Sequence, residues 1–381
     1  MKELEYPFDA AYIIKKRKSL KKALLADGTS RIRKKIAVFG GSTTSDIVKT
    51  LELFLLDAGI EPEFYESEYA QYFQDAMFPD ETLLSFKPDI VFIHTTNRNV
   101  TDWPEMTDTT EQIDEKLHTE INRFTAMWKS IAEKFHCPII QNNFEMPLYR
   151  LLGSRDAWDI HGRTNFLTRL NEAFYAYARE NESFYIHDLN FVSADYGLKE
   201  WSNPLFWNMY KYAMCFEAIP SFAFSVSHII KSIFGKNKKA LALDLDNTLW
   251  GGVVGDDGVD GIEIGQETGV SQSYYEFQTY VKQLKSLGIV LTVCSKNDHE
   301  NAIAGLNHPE GALRPDDFVI IKANWENKDR NIAETAAELN ILPDSIVFAD
   351  DNPAEREIVR TQIKGAAVPD MDGVENYITT I

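Results

Sequence analysis

Short apolar runs alternate along this chain with longer helix-like segments, and no other feature constrains its fold more. Residues 36–39, 90–93 and 240–243 are such runs, and they are followed by glycine, histidine and aspartate, respectively. Runs this short and this apolar are typical of strands that are buried on both faces of a sheet. Strands that alternate with helices predict parallel sheets covered by helices on both sides. We therefore expect an α/β protein built in three layers.

The length of the chain predicts two domains. Its 381 residues exceed the size of one typical domain. The basic stretch 235–239, which begins with a glycine, is the predicted hinge between them. We predict a helical extension over residues 1–30, a three-layer α/β domain over 31–234 and a second one over 235–381.

Charge, cysteine content and hydropathy exclude several classes of protein. A formal net charge of −19 argues against nucleic acid as a partner. The three cysteines, Cys137, Cys215 and Cys294, are too few and too scattered for a disulfide framework or a zinc site, which predicts a reducing, cytoplasmic setting. The most apolar long stretch, residues 206–234, is interrupted by charged residues and a proline. It predicts a pair of buried helices and not a membrane span.

Two carboxylates follow the apolar run 240–243. Asp244 and Asp246 are one residue apart, so their side chains point to the same side for as long as the chain stays extended. Two like charges this close raise each other's proton affinity unless a cation lies between them. An aspartate-rich turn after a core strand is the simpler interpretation of this pattern. Chemistry becomes the better interpretation only if partners occur elsewhere in the chain.

Such partners follow in order along the C-terminal half. A second apolar run, residues 289–294, ends at Ser295, and Lys328 opens a helix-like segment. A third run, residues 346–349, ends at Asp350 and Asp351. Because the carboxyl ends of parallel strands form the ligand crevice, these side chains are expected to meet there. Clustered carboxylates predict a Mg²⁺ site, where Ser295 and Lys328 would hold phosphate oxygens.

This constellation resembles the haloacid-dehalogenase-like (HAD) superfamily, which implies a Rossmann-like fold for the second domain. The resemblance makes Asp244 the nucleophile and Asp246 the general acid/base. Ser295 matches the hydroxyl of the second motif, and Lys328 the lysine of the third. Asp350 and Asp351 match the acidic fourth motif. It also implies that Asp244 and Asp350 bind the metal through their side chains, that Asp246 does so through its backbone carbonyl, and that Asp351 supports the metal.

Residues 244–258 read DLDNTLWGGVVGDDG, and residues 348–356 read FADDNPAER. These segments resemble the FkbH-like family within that superfamily. The likeness implies an enzyme that dephosphorylates a bisphosphorylated glycerate and passes a three-carbon glyceryl unit to an acyl carrier protein. No long insertion follows the first motif, so we expect only a minimal cap over the site. Two alternatives stay open: a plain Mg²⁺-dependent phosphatase of small molecules, and a non-catalytic scaffold in a biosynthetic complex.

Cys294, directly before Ser295, has two interpretations. Near Mg²⁺ and a lysine its thiol would ionise more easily and could store the acyl group as a thioester. Free cysteines in buried strands, however, usually serve as small apolar residues. Alternation along the strand favours packing, because Cys294 points away if Ser295 faces the phosphate. The family resemblance favours the thioester.

The first domain carries a weaker signal. Ser42 follows the glycines Gly40 and Gly41 after one predicted strand, and Asn97 follows another. This pattern resembles the SGNH hydrolases, in which a serine is the nucleophile and glycine and asparagine form an oxyanion hole. The usual aspartate before the serine is replaced by Gly41, and the late Asp-x-x-His pair is missing. We therefore expect an SGNH- or flavodoxin-like fold whose chemistry is lost or altered, with Ser42 and Asn97 as candidate site residues. The simpler interpretation of Ser42 is a helix N-terminal turn.

Overall fold

A computed structural model describes all residues, 1–381. The chain forms two compact units, which are described separately below. The first comprises residues 1–4 and 8–235, and the second comprises residues 5–7 and 236–381. No helix in either unit is both long enough and apolar enough to span a membrane.

The first unit is built on a parallel sheet of five strands in the order β2-β1-β3-β4-β5. This is the strand order of flavodoxin-like folds. The strands are β1 (Ile32–Gly40), β2 (Ile60–Glu66), β3 (Ile90–His94), β4 (Ile139–Asn142) and β5 (Phe184–His187). Both faces of the central strands are buried: Val38 and Phe92 pack in one apolar cluster, and Ala37 and Val91 pack in another.

Helices cover the two faces of this sheet, and the longest one shows how the sequence sets its start. Thr109 accepts a hydrogen bond from the backbone N–H of Gln112, whose side chain accepts one from the N–H of Thr109. This reciprocal cap satisfies donors at the helix N-terminus. The helices are α1 (Ala10–Ala26), α2 (Ser45–Asp57), α3 (Tyr72–Met77), α4 (Glu81–Phe86), α5 (Thr110–Phe135), α6 (Arg163–Glu180), α7 (Leu189–Tyr196), α8 (Leu198–Trp201), α9 (Pro204–Tyr210) and α10 (Ile219–Ile233).

The second unit contains a parallel sheet of four strands in the order β8-β7-β6-β9. Counted within the unit, this is the order 3-2-1-4 of a Rossmann-like sheet. The strands are β6 (Ala240–Leu243), β7 (Val290–Ser295), β8 (Ile320–Ala323) and β9 (Ile346–Ala349). Leu241 and Leu243 face one apolar cluster, whereas Ala240 and Ala242 face another, so this sheet also lies between two layers.

Six helices complete this unit: α11 (Val254–Asp257), α12 (Gly269–Ser286), α13 (His299–Leu306), α14 (Lys328–Glu338), α15 (Pro353–Gln362) and α16 (Tyr377–Thr380). Only short turns and the single turn of α11 separate β6 from α12, which agrees with a minimal cap. The predicted fold class is therefore confirmed: both units are parallel α/β layer structures.

Candidate active site

The first two acidic groups are brought together by neighbouring strands. In the parallel pair of β6 and β9, Leu243 lies opposite Ala349, so the next residues, Asp244 and Asp350, leave the sheet side by side. The N–H of Asp244 donates to the carbonyl of Ala349 at 2.9 Å. Both carboxylates are buried, with 7% of Asp244 and 0% of Asp350 exposed. Two buried carboxylates at one strand edge require a positive partner.

Lys328 supplies that partner. It is the first residue of α14, and its Nζ lies 2.8 Å from Oδ2 of Asp244 and 2.6 Å from Oδ2 of Asp350. Burial alone would lower the pKa of Lys328, but the two carboxylates raise it above the usual range. Burial and the charge of Asp244 raise the pKa of Asp350, and they outweigh the opposing effect of Lys328. The lysine is therefore held as an ammonium between the two acids.

Asp351 adds a third carboxylate to the group. Carboxylate oxygens of Asp244, Asp350 and Asp351 lie within 4.8 Å of one another. Oδ1 of Asp244 is buried and has no hydrogen-bond partner, although a buried carboxylate oxygen is normally satisfied. Thr248 fixes the turn that carries Asp351, because its Oγ1 accepts the N–H of Asp351 at 3.1 Å. Converging carboxylates with one unsatisfied oxygen are a donor set that fits a hard divalent cation.

Asp246 is held apart from this group. Its Oδ1 accepts the indole N–H of Trp250 at 2.9 Å and the N–H of Val254 at 3.1 Å. Its Oδ2 accepts the side-chain amide of Asn297 at 2.9 Å. Burial raises the pKa of Asp246 despite these donors. Asp246 is thus oriented by three donors, and its carboxylate does not belong to the three-carboxylate cluster.

Asn247 occupies the turn after these acids in a left-handed conformation, with φ of 55°. Its backbone carbonyl accepts hydrogen bonds from two phenols, Tyr274 at 3.3 Å and Tyr377 at 3.2 Å. Its side-chain oxygen accepts the N–H of Gly252 at 3.0 Å. Asparagine tolerates this backbone region better than most residues. The turn that carries the predicted first motif is therefore fixed from several sides.

Ser295 ends β7 and lies in the same crevice. A cavity of about 190 Å³ opens at this edge of the sheet. Its lining residues are Asp244, Asp246, Asn247, Ser295, Lys296, Lys328, Asp351, Asn352 and Glu355. Asp350 lies directly behind this lining through its contact with Lys328. The structure thus brings together the residues that the four sequence motifs singled out in this domain.

Cys294 is separated from that cavity. It is fully buried, and its thiol donates to the backbone carbonyl of Lys328 over 3.7 Å. It packs in the apolar cluster of Ile332 and Phe348, and burial raises its pKa. A thiol that is neutral and sealed from the crevice is a poor nucleophile. This arrangement argues against the thioester role of Cys294 and favours the packing interpretation.

In the first unit, the candidate residues Ser42 and Asn97 do not form a catalytic arrangement. Ser42 is 1% exposed, and its Oγ has no hydrogen-bond partner. The side chain of Asn97 donates instead to the carbonyl of Glu145 at 3.3 Å. The next residue, Thr43, is tied down through its N–H to Lys211 and through its hydroxyl to Tyr210. The structure shows no hydrogen bond between Ser42 and any base.

Glu145, which the sequence analysis did not single out, is the unusual residue at this edge. Its carboxylate accepts the backbone N–H of Asn97 at 3.2 Å, and its side chain is buried. Burial raises the pKa of Glu145 to about 8. In the second unit, Asn297 and Glu355 likewise carry no predicted role. Trp250 and Glu355 lie in the two segments that resemble the FkbH-like family, but the hydrogen bonds of Trp250 and Asn297 to Asp246 depend on folding.

The second unit therefore has the fold and strand-edge residues of a HAD-like domain: a 3-2-1-4 parallel sheet with clustered carboxylates, a buried lysine and a serine. The family model described as the FkbH N-terminal domain matches residues 35–231. A solved structure, the N-terminal part of BF1531 from Bacteroides fragilis containing a phosphatase domain and complexed with Mg, is 31% identical to this chain. The match covers 96% of each chain with a TM-score of 0.85. The chain belongs to the FkbH family.

Other comparisons add little. A putative acylhydrolase, BF3764 from Bacteroides fragilis, is 17% identical, with 56% of this chain and 96% of that chain covered and a TM-score of 0.33. A GDSL-like lipase, BT0569 from Bacteroides thetaiotaomicron, is 13% identical, with 58% and 99% covered and a TM-score of 0.32. These scores are too low to carry an inference. A comparison with curated proteins gave no match.

Proposed function

We propose that this chain is a HAD-type phosphatase that acts on a phosphorylated three-carbon acyl compound and loads its glyceryl unit onto an acyl carrier protein. One observation carries the phosphatase part of the proposal. Oδ1 of Asp244 is buried without a partner at a cavity that Lys328 and Ser295 also line. The Mg-bound phosphatase domain of the B. fragilis relative supports the same chemistry.

The residues suggest a two-step reaction. Oδ1 of Asp244 attacks phosphorus, the bond to the leaving oxygen breaks, and Asp246 donates a proton to that oxygen. Water then attacks the aspartyl phosphate while Asp246 takes back a proton, and inorganic phosphate leaves. Lys328 and Ser295 hold the equatorial oxygens of the transferred group. The three donors on Asp246 keep its carboxylate aimed at the leaving group.

Asp244, Asp350 and Asp351 are the residues that would hold Mg²⁺, since their carboxylate oxygens lie within 4.8 Å of one another. When bound, the ion would neutralise negative charge on the phosphoryl oxygens. The backbone carbonyl of Asp246 is a further proposed ligand, by resemblance to the superfamily.

Membership of the FkbH family supports the transfer step. We assign this step to the thiol of the carrier's phosphopantetheine arm, because no cysteine lines the cavity. That thiol attacks the acyl carbon of the substrate's acyl phosphate, the carbon–oxygen bond to phosphate breaks, phosphate leaves with the thiol proton, and a thioester forms. The phosphoryl group that Asp244 removes is then the ester phosphate of the same substrate. Residues 235–381 would carry the phosphoryl chemistry, and residues 31–234 would hold the substrate or the carrier.

Incubating the chain with a bisphosphorylated glycerate, Mg²⁺ and a pantetheinylated carrier tests the proposal when the carrier's intact mass and free phosphate are both measured. A mass gain of one glyceryl unit supports the transferase. Phosphate release without a mass gain indicates a plain phosphatase. If neither product forms, the chain acts as a non-catalytic scaffold. Ser42→Ala with unchanged transfer would leave that serine no catalytic role.

A further inference from the structure

A second lysine lines the proposed phosphoryl cavity, and it is paired at the rim. Nζ of Lys296 donates to Oε1 of Glu355 at 2.6 Å. Both residues line the cavity together with Asp244 and Lys328. The side chain of Lys296 is 35% exposed, whereas that of Lys328 is 3% exposed. The two cations of the cavity therefore differ in depth: one is buried at the reacting carboxylates and the other reaches solvent.

The two lysines also differ in the number of their carboxylate partners. Lys328 contacts two buried carboxylates, and both would remain unpaired if it moved. Lys296 has one carboxylate partner, Glu355, and an ammonium group has three donors. The pair is also incomplete on the acidic side, because Oε2 of Glu355 is buried without a hydrogen-bond partner. Donors on Lys296 thus remain available at the rim of the proposed phosphoryl cavity.

An exchange of partners by Lys296 keeps its ammonium group paired. With 35% of its side chain exposed, Lys296 can be reached by an anion that enters from solvent. A phosphate or carboxylate that enters the cavity can therefore replace Glu355 as the partner of Lys296. The position of this lysine directly after Ser295 gives it a fixed place relative to the proposed phosphate-binding hydroxyl.

We infer that Lys296 determines substrate specificity by releasing Glu355 and binding a second anionic group of the substrate. The inference rests on the proposed phosphatase activity and narrows its substrate class to phosphate esters with a carboxylate or another phosphate near the ester. The transferred phosphoryl group lies at Asp244 and Lys328, and the second anion lies at the rim. Glu355 competes with that second anion for Lys296, so a substrate gains this contact only if its second anion displaces Glu355.

The test compares three phosphate esters with the full chain in Mg²⁺: glycerol 3-phosphate, which has no second anion, 3-phosphoglycerate, which has a carboxylate, and 2,3-bisphosphoglycerate, which has both. The readout is kcat/KM for phosphate release. We expect the wild type to prefer the esters with a second anion. Lys296→Met should reduce this preference about 10- to 100-fold, mostly through KM, because a charged hydrogen bond is lost. Glu355→Gln should increase it.

Lys322→Met is the matched control, because Lys322 also pairs with glutamates, Glu334 and Glu338, but does not line the cavity. It should leave the preference unchanged. If Lys296→Met slows all three esters by the same factor, or slows none, the inference is overturned while the phosphatase proposal stands. If the wild type releases phosphate from none of them, the phosphatase proposal fails. Titration calorimetry then decides the inference: Lys296→Met must weaken binding of 3-phosphoglycerate more than that of glycerol 3-phosphate.

Discussion

The indole N–H of Trp250 donates to Oδ1 of Asp246 across 2.9 Å. Trp250 is 1% exposed, and its ring packs so closely on Gly305 that a Cβ there would lie 2.8 Å from it. The tryptophan is therefore immobile, and so is the bond that it donates. This contact connects a packing residue of the second unit to the proposed general acid.

Trp250→Phe keeps most of the ring and removes the donor. We expect phosphate release from alkyl phosphates to slow about tenfold, because a misaligned acid protonates the leaving oxygen poorly. Aryl phosphates with acidic leaving groups need less protonation and should be affected less. The prediction is checked by measuring kcat of the wild type and of Trp250→Phe with both ester types.

Trp325→Phe is the control for that substitution. The indole of Trp325 also donates to an aspartate, Asp298, at 2.9 Å, but the residue is 71% exposed. Its replacement should leave kcat unchanged for both the alkyl and the aryl phosphates. Equal slowing of both ester types by Trp250→Phe would show that Trp250 acts only through packing.

Lys328→Met should destabilise the second unit by about 3–5 kcal/mol, because it leaves Asp244 and Asp350 as adjacent buried carboxylates without a cation. Mg²⁺ should restore part of this loss, since a cation at the carboxylates replaces the missing charge. Urea unfolding with and without Mg²⁺ makes the measurement. A loss no larger than that of Lys322→Met would contradict the structure.

Glu145→Gln tests the buried acid of the first unit. Burial raises the pKa of Glu145 to about 8 from an ordinary value of 4.5, so the folded chain keeps a proton that the unfolded chain has lost. The stability contributed by that proton is present at low pH and declines as the pH rises towards 8. Glu145→Gln should therefore gain stability relative to the wild type as the pH rises from 6.5 to 8.

The same pH window avoids the buried histidines. Burial lowers the pKa of both His94 and His187 to about 3, so their effect on stability falls below pH 6.5. Thermal unfolding of the wild type, Glu145→Gln and the exposed-site control Glu133→Gln gives the comparison. Identical pH slopes for all three would mean that Glu145 is ionised in the folded chain.

Cys294→Ala should retain phosphate release and acyl transfer, with a loss of stability of about 1 kcal/mol typical of a small change in the core. The reason is the fully buried position of Cys294 in the Ile332 and Phe348 cluster. Mass spectrometry of the chain after incubation with substrate checks the same point. An acyl adduct on Cys294 would restore the thioester mechanism.

The central strands could be predicted because both of their faces are buried, so their sequences are continuous apolar runs. The edge strands β2 and β8 could not, although the edge strand β9 is itself a continuous apolar run. Each has a neighbour on only one side, and they include the polar or strand-breaking residues Pro62, Glu63 and Lys322. Such segments lack the continuous apolar signal and become strands only because a partner is present.

The same distinction applies to the site. The spacing of Asp244, Lys328 and Asp350 relative to apolar runs was enough to expect that they meet, because parallel strands end at one edge. The bond from Asn297 to Asp246 was not predictable, since it depends on rotamers chosen by packing. The burial of Cys294 beneath α14 was only partly predictable. Alternation along β7 favoured a side chain that points away from the crevice, but the sequence did not determine where the strand ends.

The phenol of Tyr377 belongs to α16, yet it donates to the carbonyl of Asn247, which directly follows the proposed general acid Asp246. Its ring also packs 5.3 Å from that of Phe277. Removal of residues 377–381 would therefore disturb the loop that carries the proposed catalytic acids. A segment distant in sequence from the first motif thus holds the loop of that motif in place.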